Sequence, residues 1–454
     1  MSKFIWGTAT SSYQIEGAAT LGNRTPGIWD TFSHTPGKVA NGDNGDVAID
    51  HFHLYKEDIA IMKSLGLDAY RFSLSWPRLF PHGMDKPAEQ AGVDFYNAVI
   101  NELIAQGITP MITLFHWDLP QYIEDRGGWA TRGVVDEFAK FALASAQLFG
   151  DRVKSWITLN EPWCTTWLGY YSGVHAPGKT VLSLAIASAH HTALAHAAAY
   201  RAIKGHQSEA EVGLTLNMTH FGTDSSDPET FRNWQLVDQV INQWWISALL
   251  TGEYPAEVAK SFGKDLDGVL LPGDQALLKS GTDFLGVNYY NNGFVGKARA
   301  GDKLISESSP YPFDYPANLE MPESDYEGKT DFGWPVTPSG IETLLLRIHK
   351  DWPQIKDLYI TENGAAYNDG LDANGEVKDL NRVNYLVKHI HFMQEAIKKG
   401  VPVKGYFAWS LLDNFEWAAG YDMRFGMIHV DFKTQKRTWK QSALEYKKII
   451  AQNQ

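Results

Sequence analysis

The sequence predicts an α/β fold, a single-domain (β/α)8 TIM barrel with long loops at its carboxyl-terminal face. Eight short apolar segments, rich in β-branched residues, recur along the 454 residues, and a segment of helical pattern follows each of them. Strands that alternate with helices are typical of parallel βαβ units, and eight such units close into a barrel. The alternative is a doubly wound open sheet, but no glycine-rich dinucleotide-binding turn follows the first strand. No linker or low-complexity break divides the chain, so we expect one domain over residues 1–454.

The predicted strands are short and apolar, as strands buried on both faces of a parallel sheet should be. In chain order they are Phe4–Thr10, Ala69–Ser73, Thr109–Phe115, Trp156–Asn160, Val212–Leu216, Phe284–Tyr289, Leu358–Glu362 and Lys404–Ser410. The predicted helices are amphipathic or rich in alanine. In chain order they are Tyr55–Leu65, Asp94–Ala105, Val134–Phe149, Val181–Ile203, Trp234–Leu250, Pro338–Lys350, Val383–Lys399 and Gln441–Gln452. Residues 296–336 have little periodicity, and we expect them to form a long loop over the mouth of the barrel.

The composition and net charge indicate the cellular compartment of the chain and exclude some classes of binding partner. An apolar content of 44% and a charged content of 20% are ordinary for a globular protein with a large core. The net charge of −13 argues against nucleic acid or an anionic membrane as a partner, and no apolar stretch is long enough to span a bilayer. The single cysteine, Cys164, excludes an internal disulfide bond and fits a reducing compartment. We therefore expect a cytoplasmic protein, and the sequence is compatible with a homo-oligomer.

Two of the apolar segments lead directly into a glutamate. Glu161 is followed at once by Pro162, and Glu362 is followed by Asn363 and Gly364, which are residues that end strands or begin turns. The carboxyl ends of the strands are where barrel enzymes place their catalytic groups. Cleavage of a glycosidic bond requires a pair of carboxyl groups. The two glutamates therefore predict a glycoside hydrolase site at this end of the barrel.

Other residues at or beyond the predicted strand ends have side chains that suit a sugar ligand. Polar groups can bind sugar hydroxyls, and flat aromatic rings can cover the apolar faces of sugars; the chain contains 16 Trp, 20 Tyr and 22 Phe. Each residue alone is compatible with a structural role, such as packing for Trp409 or a buried ion pair for Arg71. Their common location favours a site. The set comprises Gln14, Arg71, His116, Trp117, Asn160, Asn288, Tyr290, Trp409, Glu416 and Trp417.

Six segments carry sequence motifs of one known family, in the family's order. They are Phe4–Gly17, His116–Pro120, Thr158–Pro162, Asn288–Tyr290, Ile360–Gly364 and Trp409–Trp417. On these motifs the chain resembles the β-glycosidases of glycoside hydrolase family 1 over essentially its whole length. Six matches in order make the resemblance far more specific than any single short motif.

The resemblance implies a retaining mechanism with Glu161 as general acid and base and Glu362 as nucleophile. Such a mechanism needs the two carboxyl groups about 5–5.5 Å apart, so that one attacks the anomeric carbon while the other protonates the leaving oxygen. Glu161 must begin protonated, and the negative charge of Glu362 should raise its pKa.

The resemblance also implies roles for the other residues of the pocket. Arg71 and Tyr290 would orient the nucleophile and keep it ionised, with Asn288 supporting them, and Trp409 would form the floor of the sugar site. Asn160 would bind the 2-hydroxyl group. The other residues around the sugar would be Gln14, His116, Trp117, Glu416 and Trp417. The leaving-group side would be lined by Trp163, Leu168, His175 and Trp334, together with the long loop.

Glu416 indicates whether the expected sugar substrate is phosphorylated. Family members that act on 6-phosphoglycosides have a serine at the corresponding position, with a lysine and a tyrosine that hold the phosphate. A carboxylate would repel a phosphate, and no lysine lies between Glu416 and Gly426. We therefore expect an exo-acting β-glucosidase that releases terminal, unphosphorylated β-D-glucosyl residues from small β-glucosides such as cello-oligosaccharides.

Three alternatives use the same scaffold. The same residues could serve a β-galactosidase or β-fucosidase, or a transglycosidase in which an acceptor sugar replaces water. A non-catalytic sugar-binding barrel is a more remote alternative, because such a protein should lack one of the two carboxylates, and both are present.

No metal or cofactor is expected. The histidines near residues 51–53 and 190–196 lack a His-Glu-x-x-His pattern or a cysteine pair, and the family needs no metal. Residues 173–180 match the phosphate-loop pattern, but no buried strand leads into them and Pro177 removes one backbone donor.

Overall fold

A computed structural model of the chain describes residues 3–224 and 226–453. Its centre is a closed barrel of eight parallel strands, each paired with the next along the chain and the last paired with the first. The strands are β1 (Ile5–Ala9), β2 (Ala69–Ser73), β3 (Thr109–Phe115), β4 (Ser155–Asn160), β5 (Glu211–Asn217), β6 (Phe284–Asn288), β7 (Leu358–Asn363) and β8 (Val403–Trp409). The predicted barrel is confirmed, and every predicted strand end lies within one residue of the observed end.

Eight helical segments alternate with these strands. They are α1 (His51–Leu65), α2 (Gln90–Ala105), α3 (Gly133–Phe149), α4 (Leu182–His206), α5 (residues 228–251), α6 (Pro338–Asp351), α7 (Leu380–Lys398) and α8 (Gln441–Asn453). α5 consists of Pro228–Asp238 and Trp244–Thr251, joined by π-helical turns at Gln239–Gln243. Several helices begin before the predicted residue, because a single first turn is too short to show an apolar periodicity. Within residues 3–224 and 226–453, no helix is both long enough and apolar enough to cross a membrane.

Shorter elements decorate the barrel. Two short strand pairs form, Phe221–Gly222 with Gly293–Phe294 and Ile428–Val430 with Arg437–Trp439. Short α-helices lie at Ser12–Ile15, Ile28–Ser33, Trp76–Leu79, Gln121–Glu124, Ala256–Asp267, Asp274–Leu278 and Ile305–Ser308. Single 3₁₀ turns lie at Leu21–Asn23, Ala40–Gly42, Gly128–Ala130, Glu323–Asp325 and Trp417–Ala419, and Cys164–Tyr171 is π-helical.

Aromatic rings fill the interior of the barrel. Phe284 at the start of β6 lies beside Gly213 of β5, and Phe407 of β8 lies beside Gly7 of β1. A Cβ atom on Gly213 would lie 2.2 Å from the Phe284 ring, and one on Gly7 would lie 2.5 Å from the Phe407 ring. Glycine at these two positions therefore makes room for the rings. The interior is a packed core and not a pore, so a ligand must bind at the ends of the strands.

The segment of residues 296–336 is more ordered than the sequence predicted. Gly296 pairs with Asn318 and Leu304 with Pro316 in isolated β-bridges, and two short helices lie within the segment. These contacts have no periodic signal in the sequence because each involves only one residue pair.

Asp413 holds the loop that follows β8. Its buried carboxylate accepts hydrogen bonds from Lys440 Nζ at 2.9 Å, Arg424 Nη1 at 2.7 Å and the backbone N–H of Gly426 at 3.0 Å. Asp413 and the Lys440 side chain are both fully buried. Since the loop carries Glu416, this ion cluster connects the start of α8 to a residue of the predicted site.

Replacement of Asp413 tests the contribution of this cluster. Asp413→Ala would leave the buried Lys440 ammonium without its closest partner, so we expect the free energy of unfolding to fall by about 3–5 kcal/mol. Urea denaturation measures this change. The control is Glu445→Ala, which removes an exposed pair with Lys448 and should cost less than about 1 kcal/mol. A loss as small for Asp413→Ala as for the control would contradict the expectation.

Candidate active site

The two strand-ending glutamates line one cavity of about 360 Å³. Both are deeply buried, with Glu161 6% exposed and Glu362 3% exposed. Most residues predicted from the sequence line the same cavity, whereas Gln14, Arg71 and Asn160 lie behind its wall. The other predicted residues on the wall are His116, Trp117, Trp163, Leu168, His175, Asn288, Tyr290, Trp334, Trp409, Glu416 and Trp417.

Three residues of the wall have backbone conformations that residues other than glycine rarely adopt. The φ angles are +45° at Glu161, +77° at Trp117 and +48° at Trp417. A non-glycine residue in the left-handed region costs of order 1–3 kcal/mol, and such residues are concentrated at functional sites. The backbone N–H of Glu161 donates to the carbonyl of Thr215 on β5 at 3.0 Å, which holds the turn that aims the carboxyl group.

Glu362 is held in its ionised form by a cation and a hydroxyl group. Arg71 on β2 donates from Nη1 to Oε1 at 2.6 Å, and the Tyr290 hydroxyl donates to Oε2 at 2.6 Å. Burial raises the pKa of Glu362, while the charge of Arg71 and the hydrogen bonds oppose that rise. Both carboxylate oxygens are therefore oriented by donors, as an attacking carboxylate requires.

The amide of Asn160 connects three strands behind the cavity. Its Oδ1 accepts from Arg71 Nη2 at 2.5 Å and from Asn288 Nδ2 at 3.1 Å. Its Nδ2 is paired with His116 Nε2 at 3.0 Å, and because Asn160 is the donor we assign the proton of His116 to Nδ1. Burial lowers the pKa of His116 well below its usual value, so the ring is neutral. Among the described residues, this buried Nδ1 has no hydrogen-bond partner.

Glu161 lies in an environment that favours the protonated carboxyl group, unlike that of Glu362. Asn288 Nδ2 donates to Oε1 at 2.7 Å, and the Cys164 thiol donates to Oε2 at 3.3 Å. Burial, followed by the negative charge of Glu362, raises the pKa of Glu161 to about 8. Only Glu362 of the two forms an ion pair with Arg71. At neutral pH the proton therefore resides on Glu161 and the negative charge on Glu362.

Glu416 adds a third carboxyl group to the wall. Gln14 Nε2 donates to Glu416 Oε2 at 3.4 Å and to the carbonyl of Phe415 at 2.7 Å, so Gln14 holds the backbone and the side chain of this loop. Burial, with the charges of Glu362 and Glu161, raises the pKa of Glu416 to about 8. The carboxyl group faces a cavity with few other partners and can bind hydroxyl groups of a ligand.

Aromatic rings form much of the remaining wall. The rings of Trp117 and Trp417 lie 4.5 Å apart at 40°, and those of His116 and Trp409 lie 5.7 Å apart at 25°. Trp117 Nε1 donates to the carbonyl of Asn160 at 2.9 Å. These contacts fix the ring orientations and leave flat surfaces against which a sugar can pack.

The residues predicted on the leaving-group side also lie on the cavity wall. The Trp334 ring stacks on Phe332 with centroids 4.7 Å apart and lies 5.4 Å from Tyr290. Burial lowers the pKa of His175 to about 3, so this ring is neutral. The four residues are Trp163, Leu168, His175 and Trp334.

Several wall residues were not predicted as site residues. Asn217 could have been found, because it ends β5 as Asn160 ends β4. Cys164 is also among them, and its thiol bonds Glu161, which lies three residues earlier in the chain. The others lie outside the motifs and carry no local signal. They are Met218, Thr219, Phe221, Ile241, Asn291, Gly293, Tyr311, Phe332 and Phe425.

The chain is similar along its whole length to members of one family. The family model described as Glycosyl hydrolase family 1 matches residues 1–454. Beta-glucosidase A of Thermotoga maritima is 42% identical over 451 residues, which cover 99% of this chain and 97% of that protein. A 1,4-beta-D-glucan glucohydrolase of Thermotoga neapolitana is 42% identical over 452 residues, with coverage of 99% and 98%. The crystal structure of a psychrophilic beta-glucosidase from Micrococcus antarcticus matches with a TM-score of 0.94 at 40% identity, covering 99% of this chain and 97% of that one.

The hydrogen bond from Cys164 predicts a change in the ionisation of Glu161. Burial raises the pKa of the Cys164 thiol, so the thiol stays protonated and donates to the carboxylate form of Glu161. Cys164→Ala removes this donor and should raise the pKa of Glu161 from about 8 by about 0.5. Carbon-13 NMR titration of labelled glutamate side chains measures the pKa of Glu161. Cys164→Ser keeps a donor and should change the pKa less; an unchanged pKa in Cys164→Ala would refute the role of the thiol.

Proposed function

The chain belongs to glycosyl hydrolase family 1, and we propose that it is a retaining exo-β-glucosidase acting on terminal non-reducing β-D-glucosyl residues. Small β-glucosides and cello-oligosaccharides are its proposed substrates. The observation that carries this proposal is the pair of buried carboxyl groups in one cavity, with Glu362 bound to Arg71 and Tyr290 and Glu161 with its pKa raised to about 8. One group is suited to attack and the other to donate a proton.

In the first step, Glu362 attacks the anomeric carbon while Glu161 protonates the glycosidic oxygen. The bond from the anomeric carbon to that oxygen breaks, a bond to a Glu362 oxygen forms, and the leaving group departs as an alcohol. Arg71 and Tyr290 donate to the two oxygens of Glu362 and orient it for the attack.

In the second step, water hydrolyses the glycosyl ester. Esterification removes the negative charge of Glu362, which is one of the causes of the high pKa of Glu161. The pKa of Glu161 should then fall, so that it accepts a proton from the attacking water. Two inversions at the anomeric carbon give the sugar with its original β configuration.

The remaining wall residues are proposed to bind the sugar. Trp409 would form the stacking floor. Asn160, which lies directly behind the wall, would hold His116 beside the sugar and bind the 2-hydroxyl group with the second N–H of its amide. His116 would donate from Nδ1, and Glu416 would accept from hydroxyl groups. The amide of Gln14 is already bonded to protein groups, so we propose that it acts through Glu416.

Other features of the chain are also proposed. The barrel strands and helices extend from residue 5 to residue 453 of the chain, which supports one catalytic domain over residues 1–454. The single cysteine supports a cytoplasmic location. Homo-oligomer formation stays a prediction. Hydrolysis of β-galactosides and β-fucosides, and transfer to an acceptor sugar, would use the same residues, and a panel of aryl β-glycosides with chiral product analysis distinguishes these activities.

Removal of the proposed nucleophile should abolish hydrolysis. We expect Glu362→Gly to lower kcat for 4-nitrophenyl β-glucoside by at least about 10⁴-fold, because no glycosyl ester can form. Added azide should occupy the vacated space and restore cleavage of an activated aryl glucoside, giving the α-glucosyl azide after a single inversion. The exposed Glu445→Ala variant serves as the control and should retain wild-type activity. A kcat of Glu362→Gly near the wild-type value would contradict the assignment of Glu362 as the nucleophile.

The loss of kcat/KM on removal of the proposed acid should depend on the leaving group, and kcat/KM of the wild type should depend on pH. Glu161→Ala should lower kcat/KM about 10²-fold or more for alkyl β-glucosides, and far less for dinitrophenyl β-glucoside, whose leaving group needs no proton. In the wild type, kcat/KM should fall as the pH rises through about 8, since Glu161 then loses its proton.

The assignment of this alkaline limb needs a control, because the pKa of Glu416 is also raised to about 8. The limb should disappear in Glu161→Ala assayed with dinitrophenyl β-glucoside and persist in Glu416→Gln. Equal losses for good and poor leaving groups, or a limb that follows Glu416, would contradict the role of Glu161.

A further inference from the structure

The residue that supplies the hydroxyl donor to Glu362 is itself held from outside the barrel. Tyr290 lies two residues beyond the end of β6, where the hydrogen bonds of the sheet no longer fix the backbone. The hydroxyl group of Tyr385 on α7 donates to the carbonyl of Tyr290 at 2.7 Å. This hydrogen bond ties the backbone of the donor residue to a helix of the outer ring.

Asn363 joins the same hydroxyl group to the strand that carries the nucleophile. It directly follows Glu362, and its Nδ2 donates to the carbonyl of Tyr289 at 2.6 Å and to the Tyr385 hydroxyl at 3.1 Å. Its Oδ1 accepts from the Tyr406 hydroxyl of β8 at 2.7 Å. The Tyr385 hydroxyl therefore accepts from the residue after Glu362 and donates to the residue that binds the Glu362 carboxylate.

The ring of Tyr385 is fixed by packing. Tyr385 is buried, and its ring stacks on that of His389, one turn further along α7, with centroids 3.8 Å apart at 25°. Burial lowers the pKa of His389 to about 3, so this ring is neutral, and its Nδ1 is paired with the Tyr385 carbonyl at 2.7 Å. A supporting hydrogen bond fixes geometry only when packing holds the side chain that makes it, and Tyr385 meets this condition.

We propose that Tyr385 is a positioning residue for the nucleophile, because it fixes the Tyr290 hydroxyl against the carboxylate of Glu362. The inference rests on the proposed β-glucosidase function, in which Glu362 attacks the anomeric carbon. Tyr385 is not among the described residues that line the catalytic cavity, so it acts through the residues that it holds. Without its hydroxyl, the Tyr290 carbonyl loses a partner, and the 2.6 Å bond from Tyr290 to Glu362 is weakened.

The ionisation of Glu362 reports this geometry. Arg71 and the Tyr290 hydroxyl lower the pKa of Glu362. A weaker bond from Tyr290 therefore raises this pKa, and the acid limb of kcat/KM moves to higher pH, because protonated Glu362 cannot attack. The titratable groups that interact with Glu362 include Arg71 from β2, Tyr290 from the turn after β6, Glu161 and Cys164 from the segment after β4, and Glu416 from the loop after β8.

The experiment combines Tyr385→Phe and Tyr290→Phe in a double-mutant cycle. In Tyr385→Phe, which keeps the ring, kcat for 4-nitrophenyl β-glucoside should fall about 5- to 10-fold, with KM changed less than about twofold. The acid limb should move up by about 0.5 pH unit. Tyr290→Phe should move it further in the same direction. Because Tyr385 acts through Tyr290, the double variant should lose no more activity than Tyr290→Phe alone.

Tyr446→Phe is the matched control. Tyr446 on α8 is also buried, and its hydroxyl donates to the carbonyls of Gly7 at 2.8 Å and Tyr406 at 3.4 Å. Both carbonyls lie within barrel strands, whose ladder hydrogen bonds hold them in place. The control should therefore lower the urea midpoint about as much as Tyr385→Phe does, while its kcat stays within about twofold of the wild type and its acid limb does not move.

The pKa of Glu362, followed by carbon-13 NMR titration of labelled glutamate side chains, gives a readout that needs no turnover. An unchanged pKa and an unchanged acid limb in Tyr385→Phe would overturn the inference. Losses that add in the double variant, or an equal kinetic loss in Tyr446→Phe, would also overturn it. Failure of the proposed function is distinct, since the wild type would then hydrolyse no β-glucoside while the NMR titration could still show the shift.

Discussion

The buried ion pair between Arg71 and Glu362 is the interaction on which the rest of the site depends. Burying a guanidinium and a carboxylate is expensive unless every donor and acceptor is satisfied. The barrel supplies most of these partners, because Arg71 also donates to Thr113 on β3, to Asn160 on β4 and to the carbonyl of Thr361 on β7. With the negative charge fixed on Glu362, a second charge in the same cavity is disfavoured, and Glu161 keeps its proton.

This arrangement explains why the neighbouring polar groups form one network. Asn288 donates to both Asn160 and Glu161, and its own carbonyl oxygen accepts from the Thr361 hydroxyl at 2.7 Å. Displacement of one amide would therefore disturb the carboxyl groups of both glutamates. The left-handed conformation of Glu161 fits the same picture, since the surrounding hydrogen bonds offset the cost of an unfavourable φ angle.

Much of the fold was predictable because parallel barrel strands are buried on both faces and form short apolar segments. The two glutamates of the site were predictable because each lies at the carboxyl end of such a segment. The bond from Cys164 to Glu161 was not predicted, because it depends on the helical turn after Pro162. Residues 296–336 were predicted as an irregular loop, and their ordering depends on single-residue bridges and on packing of Trp334 against Phe332. Neither leaves a periodic trace in the sequence.

The sequence by itself determined the strand order, the two carboxyl groups and the family to which the chain belongs, because local patterns and motifs encode these properties. The family resemblance implied that Glu362 carries the charge, but only the tertiary structure shows the physical cause, since that depends on Arg71 arriving from β2 and on burial of both groups. The tertiary structure also decided where the leaving-group wall lies, because residues 217–221, 291–293 and 332–334 meet there from separate segments. Contacts between distant segments arise from chain closure and packing, and no local residue pattern specifies them.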